Sequence, residues 1–431
     1  MSATPLLSSA KGQALQLLEI KGKVFQLNED VLKETLERKE VQDLPVCVIS
    51  IFGEQRKGKS FLLNYLWRRL EHEVNQENQG NQEESHDPWT GKNKEILKGF
   101  EWRMGVEPTT RGLWICSKPF ILKGKSAKEV AVFLVDTEGT MDVAGNKENS
   151  VKISTLNMLF SSYLILNVNE ILQEPELEYL EMSLDLINDA FQDHVQNLHL
   201  DILVRDWFNS DECNEKQGKE YLKGIVKRIQ GNKKFPTVVK LLKSTKAEVH
   251  LLPSPGSKIT RSTCGTLDEM DPVFKDCFLK YIGLLHSKAK EYTKSKMKCR
   301  DLAKLIKEIA GIIENTSYNI SSPAEMRKVI LELQKKRFVD DFCEWMKTKI
   351  SQTNYVGCYF TRPSKMKSQF EEEFKNRCKK VKINEETQNY MKKEMDSYLE
   401  DYKANFYRKN LSTGLPVVAL GAMTLHFHLQ D

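Results

Sequence analysis

The chain has 431 residues, 40% apolar and 29% charged, a balance that excludes a mostly disordered chain and leaves room for two or three globular domains. Its 65 basic and 60 acidic residues leave a net charge of +5, with no face or segment that gathers the basic residues, so wholesale nucleic-acid binding is not expected. Nine cysteines, at 47, 116, 213, 264, 277, 299, 343, 358 and 378, are odd in number and form no C-x-x-C pair, so the pattern supports neither a disulfide framework nor a zinc site. The N-terminus carries no signal-peptide pattern. The cysteines therefore read as reduced cytosolic thiols, and the N-x-S/T matches at Asn315, Asn319 and Asn410 as chance.

In chain order, residues 1–20 are small and mixed and read as a loose tail. Lys23 to Leu27 has a short strand pattern, after which Asn28 is placed to cap a helix through Val31, Leu32 and Leu36. Val46 to Phe52 is a nearly unbroken apolar run, as expected of a strand covered on both faces in a parallel sheet. Runs of the same kind recur at 130–135 and 198–204, separated by helical patterns, and that alternation predicts an α/β domain with a mostly parallel central sheet. Between Asn75 and Asp87 the chain is Asn, Gln, Glu and Gly with almost nothing apolar, which predicts a surface loop.

After about residue 285 strand patterns give way to lysine-rich helical ones. Phe338, Phe342, Trp345, Met346 and Ile350 recur at helical spacing, as do Met391, Met395, Tyr398, Leu399, Tyr402 and Phe406. Such a stripe is core far more often than a ligand box, so an α-helical bundle is expected, with Pro323 in the connection between its helices. The apolar stretch Gly414 to Leu425 is too short to span a bilayer, which needs about 20 residues. The expected organisation is a tail over 1–20, an α/β domain over 21–292, a helical domain over 293–410 and a short apolar stub over 411–431.

Gly53-Glu54-Gln55-Arg56-Lys57-Gly58-Lys59-Ser60 fits G-x-x-x-x-G-K-[ST]. Glycines let the backbone curl so that successive N–H groups point at phosphates; Lys59 would reach the β- and γ-phosphates, and the Ser60 hydroxyl would bind Mg2+. The context supports this P-loop, because an apolar run leads in and a helical pattern from Phe61 leads out, adding the positive end of a helix to the site. The 130–135 run ends in Asp136-Thr137-Glu138-Gly139. A carboxylate at the tip of a buried strand needs a partner, and magnesium, through water, is the natural one; Gly139 can bring its N–H to the γ-phosphate. Between the two motifs lies Gly105 to Gly112, in which Thr110 is the candidate for the hydroxyl that completes the magnesium shell. These elements predict a P-loop nucleoside triphosphatase.

No N-K-x-D motif follows; the third apolar run ends in Arg205-Asp206-Trp207. Taken with the P-loop, Thr110-Arg111-Gly112 and Asp136 to Gly139, this set resembles the atlastin and guanylate-binding-protein branch of the dynamin superfamily, over roughly residues 20–410. Leu251 to Gly256 resembles the loop that helps to cover the base in atlastins. The likeness extends to their RING-bearing relatives, although the chain has no RING-type Cys/His cluster.

The resemblance implies a GTPase domain in which Asp206 accepts from guanine N1 and N2, Arg205 helps to close the base pocket, and Arg56 acts as an internal arginine finger when two such domains meet. It implies GTP or GDP as ligand, a homodimer through the GTPase domains, and tethering or remodelling at the cytoplasmic face of the endoplasmic reticulum membrane. Atlastins continue into two membrane spans and an amphipathic tail, where this chain has only the stub. Two functions fit the same residues: GTP hydrolysis coupled to dimerisation and helical-domain movement, or a GTP-loaded dimerising switch with little hydrolysis. An ATPase is the third reading, if Asp206 is only structural.

Overall fold

The computed structural model describes residues 12–21, 24–54, 57–78, 89–90, 96–102, 112–124, 128–137, 147–190, 198–292, 297–315, 323–355, 358–359, 361–380 and 385–412. Contacts divide the chain into two compact units, 1–330 and 331–431.

The first unit is built on a mixed nine-stranded sheet. Its strands are β1 (Ala14–Lys21), β2 (Val24–Leu27), β3 (Val46–Gly53), β4 (Leu113–Cys116), β5 (Phe120–Lys123), β6 (Glu129–Thr137), β7 (Tyr163–Asn169), β8 (His199–Trp207) and β9 (Ala247–Pro253). The order is β2-β1-β4-β6-β3-β7-β8-β9, with β5 paired to β6. The five strands β6-β3-β7-β8-β9 are parallel, and β1, β2, β4 and β5 add an antiparallel margin. All eight residues of β3 are buried, as its apolar run requires of a strand with a neighbour on each side and helices on both faces.

Residues 14–20, expected within the tail, belong to β1. The bulge between Gln16 and Leu18 buries Leu17 and Leu18 together and removes the alternation by which a strand is recognised. Asn28 caps α1 (Glu29–Glu34) as expected, its side chain accepting from the Val31 N–H.

After β3 the chain enters α2 (Lys59–Asn78), returns as β6 on one side of β3, and passes through α3 (Lys147–Phe160) to β7 on the other side. The crevice beyond the carboxyl end of β3 is therefore a topological switch point, the place where open parallel sheets bind ligands. The helices α4 (Glu174–Ala190), α5 (Glu215–Ile229) and α6 (Pro236–Leu242) follow from there to β9.

One helix organises the far half of the sheet. In α7 (Pro272–Glu291), Asp271 caps the start by accepting from the Val273 and Phe274 N–H groups, and Pro272 takes the first position, where no N–H is needed. Its buried residues Phe274, Phe278, Tyr281, Ile282, Leu285, His286 and Ala289 make one helical stripe. The stripe meets α2 through Phe278, whose ring lies 5.7 Å from Phe61 and 5.2 Å from Tyr65, and meets β8 through Phe274 and Tyr281. The α2–α7 seam is extended by Glu73, which accepts from Lys290 and lies 3.3 Å from His286 Nε2.

The helix α8 (Cys299–Asn315) buries Cys299, Leu302, Ala303, Leu305, Ile306, Ile309 and Ala310, packs on β2, and ties Lys307 to Glu37. A domain edge drawn at 292/293 follows the change of sequence texture, whereas the compact units meet at 330/331.

The second unit is helical: α9 (Pro323–Gln352), which Pro323 opens and of which the part from Leu331 belongs to this unit, α10 (Pro363–Lys380) and α11 (Glu385–Ser412) supply its core. Phe338, Phe342 and Met346 pack with Met366, Phe370 and Phe374 and with Met391, Met395, Tyr402 and Phe406. Spacings of four and seven along the helices put these side chains on one face, so the aromatic stripe of the sequence is core. Among the described residues no helix is long and apolar enough to cross a membrane.

Candidate functional site

The carboxyl ends of β3, β6 and β8 carry Gly53, Asp136, Arg205 and Asp206 to one margin of the parallel sheet. Gly53 ends β3 with φ +135°, and an added Cβ would lie 2.2 Å from the Asn167 carbonyl oxygen of the paired strand β7. No larger residue fits that approach. Gly58 has φ +73°, and its Cα faces the Arg205 guanidinium, 3.3 Å from the place a Cβ would take. Gly53 thus lies against β7 and Gly58 against the Arg205 side chain of β8, and α2 begins at the next residue, Lys59.

At the start of α2, Lys59 is buried, and its ammonium donates to the carbonyls of Gly53 at 3.2 Å and Glu54 at 2.9 Å. There the same carbonyls compete with any anion for its protons. Lys57 is half-buried, with its ammonium 4.0 Å from Glu54, and its carbonyl accepts from Asn167 Nδ2 at 3.0 Å and Arg205 Nη1 at 3.4 Å. The Ser60 hydroxyl, in the first turn of α2, donates to Asp136 Oδ2 at 2.5 Å. Asp136 is fully buried at the end of β6, and the next residue, Thr137, fixes that end by donating to the Ile51 carbonyl at 2.8 Å. A hydroxyl and a carboxylate meeting beside a lysine and a helix N-terminus form a set of hard oxygen donors suited to Mg2+ with a polyphosphate.

The ring of Phe61, the first residue after the motif, turns inward against Tyr65, Trp102 and Phe278, so only its backbone faces the loop. Gly112 has φ +77°, and a Cβ there would lie 2.0 Å from the Leu18 carbonyl of β1; this explains the glycine of Thr-Arg-Gly as a close-packing requirement. Arg56, Thr110 and Gly139 lie outside the described residues.

At the end of β8, Arg205 is buried and Asp206 half-buried. The Arg205 guanidinium stands 5.6 Å from the centre of the Phe274 ring on α7, and its Nε is buried without a hydrogen-bond partner among the described residues. Burial pulls its pKa below the usual arginine value. Asp206 adopts φ +57°, uncommon for a residue with a side chain, where the β8–β9 register shifts between Val204 and Trp207. The shift takes Asp206 out of the alternation of the strand. Beside it, Trp207 pairs with Pro253, and the Pro255 carbonyl accepts from the Asp271 N–H, so the 254–256 loop lies between the Asp206 strand end and the cap of α7.

The sequence reading missed Asn167. It is buried at the end of β7, and its amide holds the Lys57 carbonyl while its backbone meets Gly53. The available signal was an asparagine inside the apolar run Leu164-Ile165-Leu166-Asn167-Val168. Such a residue is costly to bury unless it has a specific partner.

The family described as "Guanylate-binding protein, N-terminal domain" matches residues 22–294. RING finger protein 112 of Rattus norvegicus is 32% identical over 315 residues, covering 68% of this chain and 47% of that protein. Atlastin-1 of Bos taurus is 32% identical over 321 residues, 70% of this chain and 55% of that protein, and Atlastin-2 of Homo sapiens is 28% identical over 347 residues, 75% and 56%. The chain spans about half the length of the curated relatives it matches. It belongs to the guanylate-binding-protein N-terminal-domain family and is similar to the atlastins.

Proposed function

We propose that the chain hydrolyses GTP with Mg2+ in the crevice beyond β3, and that nucleotide-dependent pairing of its GTPase domains is coupled to movement of the helical unit. The observation that carries the reading is the meeting of Ser60 with Asp136 beside the buried Lys59. The N–H groups of Lys57, Gly58, Lys59, Ser60 and Phe61 would cradle the phosphates, and Lys59 would leave the Gly53 and Glu54 carbonyls for the β- and γ-phosphates. Ser60 and Asp136 would hold Mg2+, directly and through water, and the bound ion supplies positive charge to the phosphate oxygens.

The roles of Arg56, Thr110 and Gly139 rest on the motifs: a finger that neutralises charge developing in transfer, a hydroxyl for the metal, and an N–H for the γ-phosphate. Asp206 would accept from guanine N1 and N2. Adenine offers no such pair of donors, and a desolvated carboxylate left unpaired would penalise ATP. Arg205, packed between Phe274 and the Lys57 carbonyl, would hold the base strand against the P-loop.

Two measurements test this reading. Competition against labelled GTP should show unlabelled GTP displacing it and ATP failing to; comparable displacement by ATP would refute the base assignment. Light scattering should show a monomer with GDP and a dimer with a non-hydrolysable GTP analogue or a transition-state mimic. A mass that does not respond to nucleotide would remove dimerisation, and with it the proposed tethering or remodelling of a membrane such as that of the endoplasmic reticulum.

A further inference from the structure

A second polar centre lies on β8 and β9, away from the phosphate site. Asp201 pairs directly with Glu248, and His250 stands opposite Leu203, two residues farther along, so all three side chains share one face of the sheet. Asp201 precedes Arg205 by four residues, roughly 13 Å at the rise of a strand. The face is covered by α7, which contributes Tyr281 and Lys288, while β7 contributes Tyr163.

His250 Nε2 lies 3.5 Å from Asp201 Oδ2 and 3.5 Å from Glu248 Oε2, and one ligand atom from each of the three residues lies within 4.8 Å of the others. The nitrogen is buried and has no hydrogen-bond partner among the described residues. Both separations exceed the roughly 2.7–3.2 Å of an N–H···O bond, so a proton on Nε2 would serve neither carboxylate well. They are close to the edge of a tetrahedron around zinc, roughly 3.3 Å for metal–ligand distances near 2.0 Å.

The surroundings also suit a cation. Asp201 is 1% exposed, so a bare carboxylate there is costly. Tyr163 and Tyr281 donate to Asp201 Oδ2 at 2.6 and 3.1 Å, fixing the carboxylate as outer-shell donors fix metal ligands. Lys288 occupies Glu248 Oε1, leaving Oε2 toward His250. Glu248 and His250 are the more exposed pair, at 36% and 19% of their side chains, which gives an entry path and room for water. An imidazole nitrogen with two carboxylates matches zinc, whereas the all-oxygen pair Ser60 and Asp136 matches magnesium.

We propose that Asp201, Glu248 and His250 form a zinc site, completed by water and oriented by Tyr163 and Tyr281, that fastens the edge strand β9 to β8. The site needs no nucleotide and no hydrolysis, so it stands or falls apart from the GTPase reading.

The test uses the full chain without nucleotide, stripped with a chelator and titrated with Zn2+, and with Co2+ as its spectroscopic analogue. One equivalent should bind, and the Co2+ adduct should show tetrahedral visible bands without the charge-transfer band that a cysteine ligand would add. His250→Gln and Glu248→Gln, both at partly exposed positions, should abolish that equivalent and the accompanying rise in melting temperature. Tyr281→Phe should weaken binding about 10- to 100-fold. Ser60→Ala should leave it unchanged. Absence of a stoichiometric equivalent, a thiolate band at one equivalent, or binding that survives His250→Gln would each overturn the proposal.

Discussion

The Ser60 hydroxyl donates to the Asp136 carboxylate at 2.5 Å, although the two residues are 76 positions apart and begin and end different elements. Parallel pairing of β3 with β6, in register from Val46↔Ala131 to Ser50↔Val135, brings the helix start and the strand tip together. If the pair serves Mg2+, Ser60→Ala should reduce GTP affinity measured with Mg2+ by about 10- to 100-fold, the value of one strong polar ligand. Titration calorimetry with Mg2+ and with a chelator checks this. The variant and the unaltered chain should converge once the metal is withheld.

Gly53→Ala should cost at least ~2 kcal/mol, because the new methyl meets the Asn167 carbonyl at 2.2 Å with φ at +135°. Nucleotide binding should fall with it, since the same backbone opens the phosphate loop. Urea unfolding gives the stability term. A variant as stable as the parent would mean that β3 and β7 can part at no cost.

Asp206→Asn should lower GTP affinity about 100-fold, by replacing an acceptor-only carboxylate with an amide that also donates. Xanthosine triphosphate, which carries an acceptor where guanine has the N2 donors, should gain relative to GTP. Competition binding with the two nucleotides reads the switch directly. An unchanged ratio would place the base elsewhere.

Glu73 couples the P-loop helix to α7, and the neighbouring His286 and Lys290 hold its carboxyl down at about 2. Because the folded pKa is depressed below the unfolded one, its contribution to stability is full above the ordinary glutamate range near pH 4.3 and is lost as the pH falls toward 2. The stability gap between the unaltered chain and Glu73→Gln should therefore be constant from pH 7 to about pH 5 and narrow below it. Denaturant titrations at stepped pH would show this. A gap independent of pH would mean that the ion cluster adds nothing to the α2–α7 seam.

What the sequence disclosed, and what it hid, follows from the range of each interaction. The P-loop, the β6 tip and the helical stripes are local patterns, because glycine spacing, an apolar run or a period of four lies within a few residues. Leu17 and Leu18 hid β1, since a bulge turned both inward. The apolar stripe of α8 reads the same whether it packs in a bundle or on a sheet, and Lys307 with Glu37, 270 positions apart, is visible only in space. The same holds for Asn167 against Lys57, 110 positions apart, and for Asp201 with His250, whose proximity depends on the β8–β9 register. Arginine and aspartate at 205 and 206 were legible as a motif. The Phe274 platform beneath Arg205 was not, because α7 delivers it from another part of the chain.

Phosphate release is the most direct test of the whole account. The purified chain should release phosphate from GTP in the presence of Mg2+, and not from ATP, with turnover falling at least ~100-fold in Lys59→Ala. Equal release by Lys59→Ala and the unaltered chain would contradict the assignment of residues 53–60 as the site of hydrolysis.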